Sequence, residues 1–226
     1  MRKRTASLPQ RVADAESPSG VWGWLWAFVV LEVILVIAFV PHGVAVALLD
    51  DERQIAIDQV GVEAADWIDG AGYALYDHIF EKTGLRERVY ATFLPSTEEY
   101  DAKDGLHNMR DKLMPVVRDR LYVFFLGAYG VCRRLAAYLV WVPALIGLVI
   151  GAGFDGYTSW AIRRHAFRYS SPIRHRSGYR LIYMLFVIMA FALFIPIAVS
   201  PLFVLGIMSM GLVGFHLTVR YMQRQI

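Results

Sequence analysis

The sequence predicts an all-α membrane protein with four transmembrane helices and a periplasmic helical hairpin between the first and the second. Hydrophobic residues make up 57% of the chain and charged residues 19%, against about 45–50% and about 25% in an ordinary soluble domain. The apolar residues gather into runs long enough to cross a bilayer. Basic residues concentrate beside the ends of these runs, which is typical of membrane spans and their cytoplasmic flanks.

The first span is predicted over residues 21–41. Residues 1–20 are polar and rich in Ser, Pro and charge, which is typical of a disordered tail. A cleaved signal peptide is the alternative, because the chain around Ala45 and Ala47 has an A-x-A pattern. The apolar run is longer than the usual stretch of about 7–15 residues and contains Glu32, so we expect an uncleaved anchor.

Residues 42–134 resemble a soluble, helical segment. Apolar residues recur there at helical spacing, and residues 42–120 hold 16 acids against 9 bases. The apolar stretch 121–153 is interrupted by Arg133 and Arg134, so we expect only residues 135–153 to form the second span. The piece before these arginines is expected to pack at the outer interface or against the hairpin.

The third and fourth spans are predicted within residues 181–219, joined by a tight turn at Ser200-Pro201. Residues 154–180 form a basic loop with six arginines, two histidines and one acid between 155 and 180, and residues 220–226 form a short basic tail. Basic residues near span ends favour the cytoplasmic side. The three basic segments predict a multi-pass protein of the bacterial inner membrane, with both termini cytoplasmic.

Two polar residues lie inside the predicted spans, Glu32 and His216. An unpaired carboxylate at that depth costs a few kcal/mol, so Glu32 is expected to face protein or water. One interpretation is a proton or cation site, which would make the chain a small transporter or channel subunit. The other is a structural polar contact inside the bundle, with Arg133, Arg134 or a backbone group.

Small residues in the spans predict close helix packing, because they let helix backbones approach one another. The residues concerned are Gly147 and Gly151 in the second span, and Gly211 and Gly214 in the fourth. Packing within one chain and a homo-oligomer face are both compatible with this pattern.

The densest candidate contact surface is the basic loop, where arginines alternate with aromatic residues. Three partners fit it: anionic lipid headgroups, an acidic protein surface, or DNA phosphates. The candidate contact residues are Arg163, Arg164, Phe167, Arg168, Tyr169, Arg174 and Arg176.

No catalytic or cofactor motif accompanies these features. The histidines have no metal-ligand spacing, and the chain has no Gly-rich phosphate loop and no nucleophile elbow. We therefore expect neither a cofactor, a metal nor an enzymatic activity in this chain.

One part of the sequence resembles a known family. Phe154-Asp155-Gly156 precedes Arg163-Arg164-His165 and Ser171-Pro172, and two spans closed by a short Pro turn follow. This arrangement is similar to the integrating conjugative element membrane protein family. The resemblance implies a non-enzymatic inner-membrane component of a conjugative DNA-transfer (type IV secretion) system, which anchors or assists a coupling ATPase.

The topology yields a prediction of its own. A reporter that is active only in the cytoplasm should be active when fused at Ile226 or near Ser171, and silent near Glu98, because Arg and Lys are retained on the cytoplasmic side. Reporter activity normalised to protein level is the measurement. A cytoplasmic signal at Glu98 contradicts the topology.

Overall fold

The computed structural model describes residues 19–94, 107–166 and 171–222, and within these ranges the regular structure is helical. This confirms the all-α prediction. A π-helical turn, Asp77–Glu81, continues the third helix. The helices are α1 Ser19–Phe39, α2 His42–Val60, α3 Val62–Tyr76, α4 Leu85–Phe93, α5 His107–Val140, α6 Val142–His165, α7 Pro172–Ala192 and α8 Pro201–Arg220.

The first group of helices packs around α5, which has 34 residues and is about 50 Å long at 1.5 Å per residue. Helices α1 to α4 all contact it. Tyr76, Phe125 and Cys132 form the buried centre of this group. At Gly72 the backbones of α3 and α5 approach so closely that an added Cβ would lie 2.7 Å from the Cα of Arg133.

The chain turns sharply between α1 and α2. Residues 26–39 and 42–60 meet at an angle of 117° beside Pro41, so α2 does not continue the line of the first predicted span into a hairpin. Arg120 caps the end of α1 by donating to the carbonyls of Ile37 (3.2 Å) and Val40 (2.9 Å). Helix ends leave such carbonyls without helical partners, so this contact stabilises the turn.

The second group is a three-helix unit in which α8 packs against both α6 and α7. Helices α7 and α8 cross at two glycines. A Cβ added at Gly178 would lie 2.8 Å from the carbonyl oxygen of Gly214 and 2.7 Å from the hydroxyl of Thr218. Only hydrogen atoms at these positions allow the two backbones to meet.

Two prolines move helix boundaries away from the predicted ones. A proline ring clashes with the carbonyl four residues earlier and donates no hydrogen bond. Helix α5 therefore ends at Val140, and α6 begins with Pro143 in its first turn, so the break falls inside the segment 135–153. Helix α7 ends at Ala192, four residues before Pro196, and the connection to α8 is longer than the predicted turn at Ser200-Pro201.

The basic segment 154–180 also differs from the loop that the sequence predicts. Helix α6 continues to His165, and α7 already begins at Pro172. Clusters of arginine do not break helices, since arginine has a high helix propensity and basic side chains stabilise a helix C-terminus.

Three helical stretches in the described residues are long and apolar enough to cross a membrane: residues 113–140, 142–165 and 201–220. The bent pair of α1 and α2 makes a fourth if it counts as one span. These helices are compatible with a membrane protein. The four-span boundaries stay a prediction.

The glycine crossing gives a test of the three-helix unit. Gly178→Ala should lower the free energy of unfolding by about 1–3 kcal/mol, because the methyl group overpacks the crossing. The matched control is Gly206→Ala on α8, where an added Cβ meets nothing within 4 Å. The control should be neutral, or more stable by up to about 1 kcal/mol from helix propensity. Unfolding in detergent measures both, and an equally stable Gly178→Ala variant contradicts the crossing.

Candidate functional site

A buried ion pair joins the two helix groups. Arg134 of α5 and Glu52 of α2 are 7% and 5% exposed, and the Nε of Arg134 donates to Oε1 of Glu52 at 2.8 Å. The second contact, from Nη2 of Arg134 to the same oxygen, measures 2.5 Å. We call this pair, together with the backbone of residues 192–199, the junction cluster.

Arg134 also holds the irregular connection between α7 and α8. Its Nη1 donates to the carbonyls of Ala192 (3.1 Å), Leu193 (3.0 Å) and Ile195 (2.7 Å), and its Nη2 donates to Ile197 (2.9 Å). Glu52 accepts from the backbone N–H of Val199 at 3.2 Å. The pair therefore forms hydrogen bonds with backbone groups on both sides of Pro196, in the connection that follows α7.

Pro196 explains why these contacts are needed. In a continuous helix the carbonyl of Ala192 would accept from the backbone nitrogen of residue 196, which in proline carries no hydrogen. A buried carbonyl without a partner costs about 1–3 kcal/mol. Arg134 replaces the missing donor, and its planar guanidinium has enough N–H groups to serve several carbonyls at once.

The neighbouring arginine faces a different helix. Arg133, which is 5% exposed, pairs with Asp69 of α3 at 2.6 Å and donates to the carbonyl of Leu49 at 2.6 Å. Arg53 extends this network through Asp69 and Asp66, both at 3.0 Å. Consecutive residues of α5 thus connect to α3 on one side and to the junction cluster on the other.

A second cluster lies at the opposite end of the three-helix unit. Arg163 of α6 and Arg174 of α7 donate to the hydroxyl of Tyr221, at 3.3 Å and 2.5 Å, and Tyr221 is only 5% exposed. The guanidinium carbon atoms of Arg163, Arg174 and Arg220 lie 4.2, 5.3 and 5.9 Å from the centre of its ring. We call these four residues the tyrosine cluster.

The charges of the tyrosine cluster act on the phenol at its centre. Hydrogen bonds from Arg163 and then Arg174 lower the pKa of Tyr221, because cationic donors stabilise the phenolate. In the described residues, no carboxylate forms an ion pair with Arg163, Arg174 or Arg220. The cluster ties the C-terminal ends of α6 and α8 to the first turn of α7 while remaining strongly positive.

The remaining predicted contact residues lie near this cluster or outside the described ranges. Arg164 is exposed, with its guanidinium 5.6 Å from the centre of the Trp160 ring, and Arg176 is exposed on α7. Phe167, Arg168 and Tyr169 lie outside the described residues. The structure thus brings Arg163 and Arg174 together and leaves Arg164 and Arg176 at the surface.

The two predicted intramembrane polar residues have different surroundings. Glu32 lies on α1 within electrostatic range of Arg134, and its buried Oε2 has no hydrogen-bond partner among the described residues. His216 lies at the contact of α8 with α6, where its Nδ1 is 3.4 Å from Asp155 and 3.3 Å from the carbonyl of Ala152. In the parts of the chain that are described, no group of three or more His, Cys, Asp or Glu residues could hold a metal ion.

Of the four predicted packing glycines, only Gly214 lies at a close crossing of helices. A Cβ added at Gly147, Gly151 or Gly211 meets no described atom within 4 Å. Gly178, which the sequence analysis did not single out, is the partner of Gly214.

The junction cluster contains a residue that sequence reasoning missed, Glu52. One signal could have found it: Leu48, Glu52 and Ala56 follow one another at intervals of four and share one face of α2. An acid within an apolar stripe needs a buried cation, and Arg134 interrupts an apolar run in the same way.

The junction cluster predicts a large effect for a single substitution. Glu52→Leu should lower the free energy of unfolding by about 3–5 kcal/mol, because it leaves a buried guanidinium without its carboxylate. Amide hydrogen exchange of residues 193–199 should accelerate as well, since Val199 loses its acceptor.

Glu63→Leu is the matched control, because Glu63 is an exposed acid on α3. It should change stability by no more than about 0.5 kcal/mol. Unchanged exchange at residues 193–199 in the Glu52→Leu variant contradicts the role of the ion pair in holding the connection.

Comparison with known proteins supports a conjugation role. A family described as IncC plasmid conjugative DNA transfer protein DtrJ-like matches residues 37–221, a range that includes both clusters. No curated protein and no solved structure matches the chain. The match confirms the coarse expectation of a conjugative transfer protein, whereas the narrower resemblance to the integrating conjugative element family stays a prediction. The chain belongs to the DtrJ-like family of conjugative DNA transfer proteins.

Proposed function

We propose that this protein is a non-enzymatic inner-membrane component of the conjugative DNA-transfer (type IV secretion) system, which anchors or assists the coupling ATPase. Family membership supports the role in DNA transfer. The observation that carries the docking role is an exposed, arginine-rich surface beside the tyrosine cluster.

The two clusters support a four-span arrangement. They lie at opposite ends of α7, which has 21 residues and is about 30 Å long. That length is close to the hydrocarbon thickness of a bilayer, about 30 Å. Three arginines lie in the first half of α7, so its apolar part is residues 181–192 and α7 is not among the helices apolar enough to cross alone; it would cross packed against α8. The apolar faces of α6, α7 and α8 then lie in lipid between two charged layers, and α1 supplies the remaining span.

Helices α5 and α6 are both apolar enough to cross a membrane, but they differ in how much of their surface is buried by other helices. In the most apolar stretch of α5, 44% of the residues are buried by α1 to α4 and their neighbours, against 6% in α6. A helix that exposes nearly all of its apolar surface needs lipid around it, whereas α5 also carries the charged network of Arg133 and Arg134. We therefore take α6 as the second span, whereas α5 packs against the outer part of the first span, because residues 120–134 of α5 lie beside residues 32–40 of α1.

The proposed docking surface consists of Arg164 at the end of α6 and of Ile173, Arg176 and Tyr179, which follow one another at intervals of three on α7. Ile173 and Tyr179 are 76% and 64% exposed, and both arginines are exposed. Arginine and tyrosine are enriched among the residues that dominate binding energy at protein interfaces. The tyrosine cluster holds the ends of α6 and α7 together beneath this surface, so little ordering is needed when a partner binds.

The charged residues of the junction cluster support the non-enzymatic part of the proposal. The donors of Arg134 and the Oε1 atom of Glu52 are engaged with each other and with backbone groups. Groups that hold backbone in this way stabilise the fold and are not positioned toward a substrate.

Replacing the two exposed arginines tests the docking role. Arg164→Gln combined with Arg176→Gln should weaken co-purification with the coupling ATPase by tenfold or more, because charged contacts at a partly buried interface are worth a few kcal/mol. DNA transfer from donors should fall in parallel. Membrane levels of the variant must match those of the parent, and the other arginines of this end keep the segment inside.

The control combines Arg88→Gln with Arg118→Gln, which removes the same charge from exposed positions on α4 and α5. It should leave co-purification unchanged. Normal values for the Arg164 and Arg176 variant in both assays would remove this surface from the mechanism.

A further inference from the structure

An apolar cavity of about 360 Å³ lies between α1, α2, α5 and the connection from α7 to α8. Its volume falls within the range of small-ligand sites, about 300–1,000 Å³. Among the described residues, Arg134 is the one charged residue on its walls. Its apolar walls include Val36, Leu49, Gly127, Leu135, Leu193 and Pro196.

The wall of the cavity on α5 runs from Val123 to Leu135, which is about 18 Å along a helix. An α-helix of that length is about 10 Å across and has a larger volume than the cavity, so it does not fit. One hydrocarbon chain is a smaller occupant that suits apolar walls.

The rest of this chain does not supply a suitable occupant. The segments outside the described residues are polar: residues 1–18 carry four basic residues and two acids, and residues 95–106 carry four acids. Burying such segments among apolar walls would leave charges unpaired, at a cost of several kcal/mol. The occupant must be apolar, narrow and abundant where the cavity opens.

The location of the cavity identifies that occupant. Its walls include residues 33–40 at the end of α1 and residues 193–196, which follow directly after α7. In the four-span arrangement proposed above, on which this inference rests, both segments lie at the outer side of the bilayer. Lipid chains are therefore present beside the cavity.

We propose that the cavity binds one acyl chain of a membrane glycerophospholipid. The acyl chain fills the space between the group around α5 and the three-helix unit. It lies beside the connection from α7 to α8 that Arg134 and Glu52 hold in place. An acyl chain in this position contacts apolar walls that would otherwise be left empty or exposed to water. A lipid at this position therefore binds the two helix groups together.

The experiment uses the full chain in vesicles that contain phosphatidylethanolamine with a photoreactive diazirine in the middle of one acyl chain. After irradiation, peptide mass spectrometry measures labelling of residues 123–135 and of the exposed α6 residues Ile150 and Phe154. Both regions of the parent protein should be labelled. Label on α6 without label on 123–135 overturns the cavity proposal, whereas no label on α6 overturns the four-span arrangement.

Two variants distinguish the cavity from the outer surface of α5. Gly127→Phe and Val36→Phe fill it from opposite walls, and an added Cβ at Gly127 meets no described atom within 4 Å. Each should reduce labelling of 123–135 at least fivefold without changing labelling of α6. Gly147→Phe, at an equally open glycine away from the cavity, should leave both unchanged. Full labelling of 123–135 in both filled variants overturns the proposal.

Discussion

The contact of Arg134 with Glu52 is the interaction on which the rest of the structure depends. Pro196 ends α7 and frees backbone carbonyls next to apolar helices, where a segment without helical hydrogen bonds is tolerated only if protein satisfies it. Arg134 provides the donors, and Glu52 balances the charge that the arginine brings with it. Neither residue would be stable at its position without the other, because a lone buried ion is far more costly than a pair.

The tyrosine cluster uses charge in the opposite way. At the junction, cation and anion are paired and buried, so their field is largely cancelled locally. Around Tyr221, three guanidinium groups converge on a neutral phenol, and their field extends outward from the end of the three-helix unit. One end of the molecule is therefore closed by its own contacts, and the other is electrostatically suited to an acidic partner.

The sequence predicted the helical class and the presence of several helices apolar enough to cross a membrane, because hydropathy over about 20 residues depends on composition alone. The positions of the helix ends were harder to predict from the sequence. The structure has a break at Trp141, just before Pro143, and α7 ends at Ala192, four residues before Pro196. Whether a proline kinks or ends a helix depends on what can satisfy the freed backbone, and here the partner is distant in the sequence.

Large separations in the sequence also explain why much of the candidate site was not predicted. Glu52 and Arg134 are 82 residues apart, so no local pattern connects them. Arg163 and Arg174 were identified from the density of arginine in the sequence, but their common partner Tyr221 at the end of α8 was not. The Gly178 crossing was missed because one glycine within a basic stretch has no periodicity, and only the backbone of α8 shows why a side chain is excluded.

The wide separation of Glu52 and Arg134 in the sequence also fixes the order in which the parts of the junction cluster are synthesised. A ribosome completes Glu52 first, Arg134 much later, and the carbonyls around Ile195 last, so the acid and then the cation exist before their final acceptors do. The connection between α7 and α8 is made last, and its carbonyls accept from an arginine of a helix that was made earlier. Packing of α7 and α8 against the rest of the protein therefore requires the earlier helices to have folded, and a chain whose early segment misfolds cannot satisfy the backbone between its last two helices.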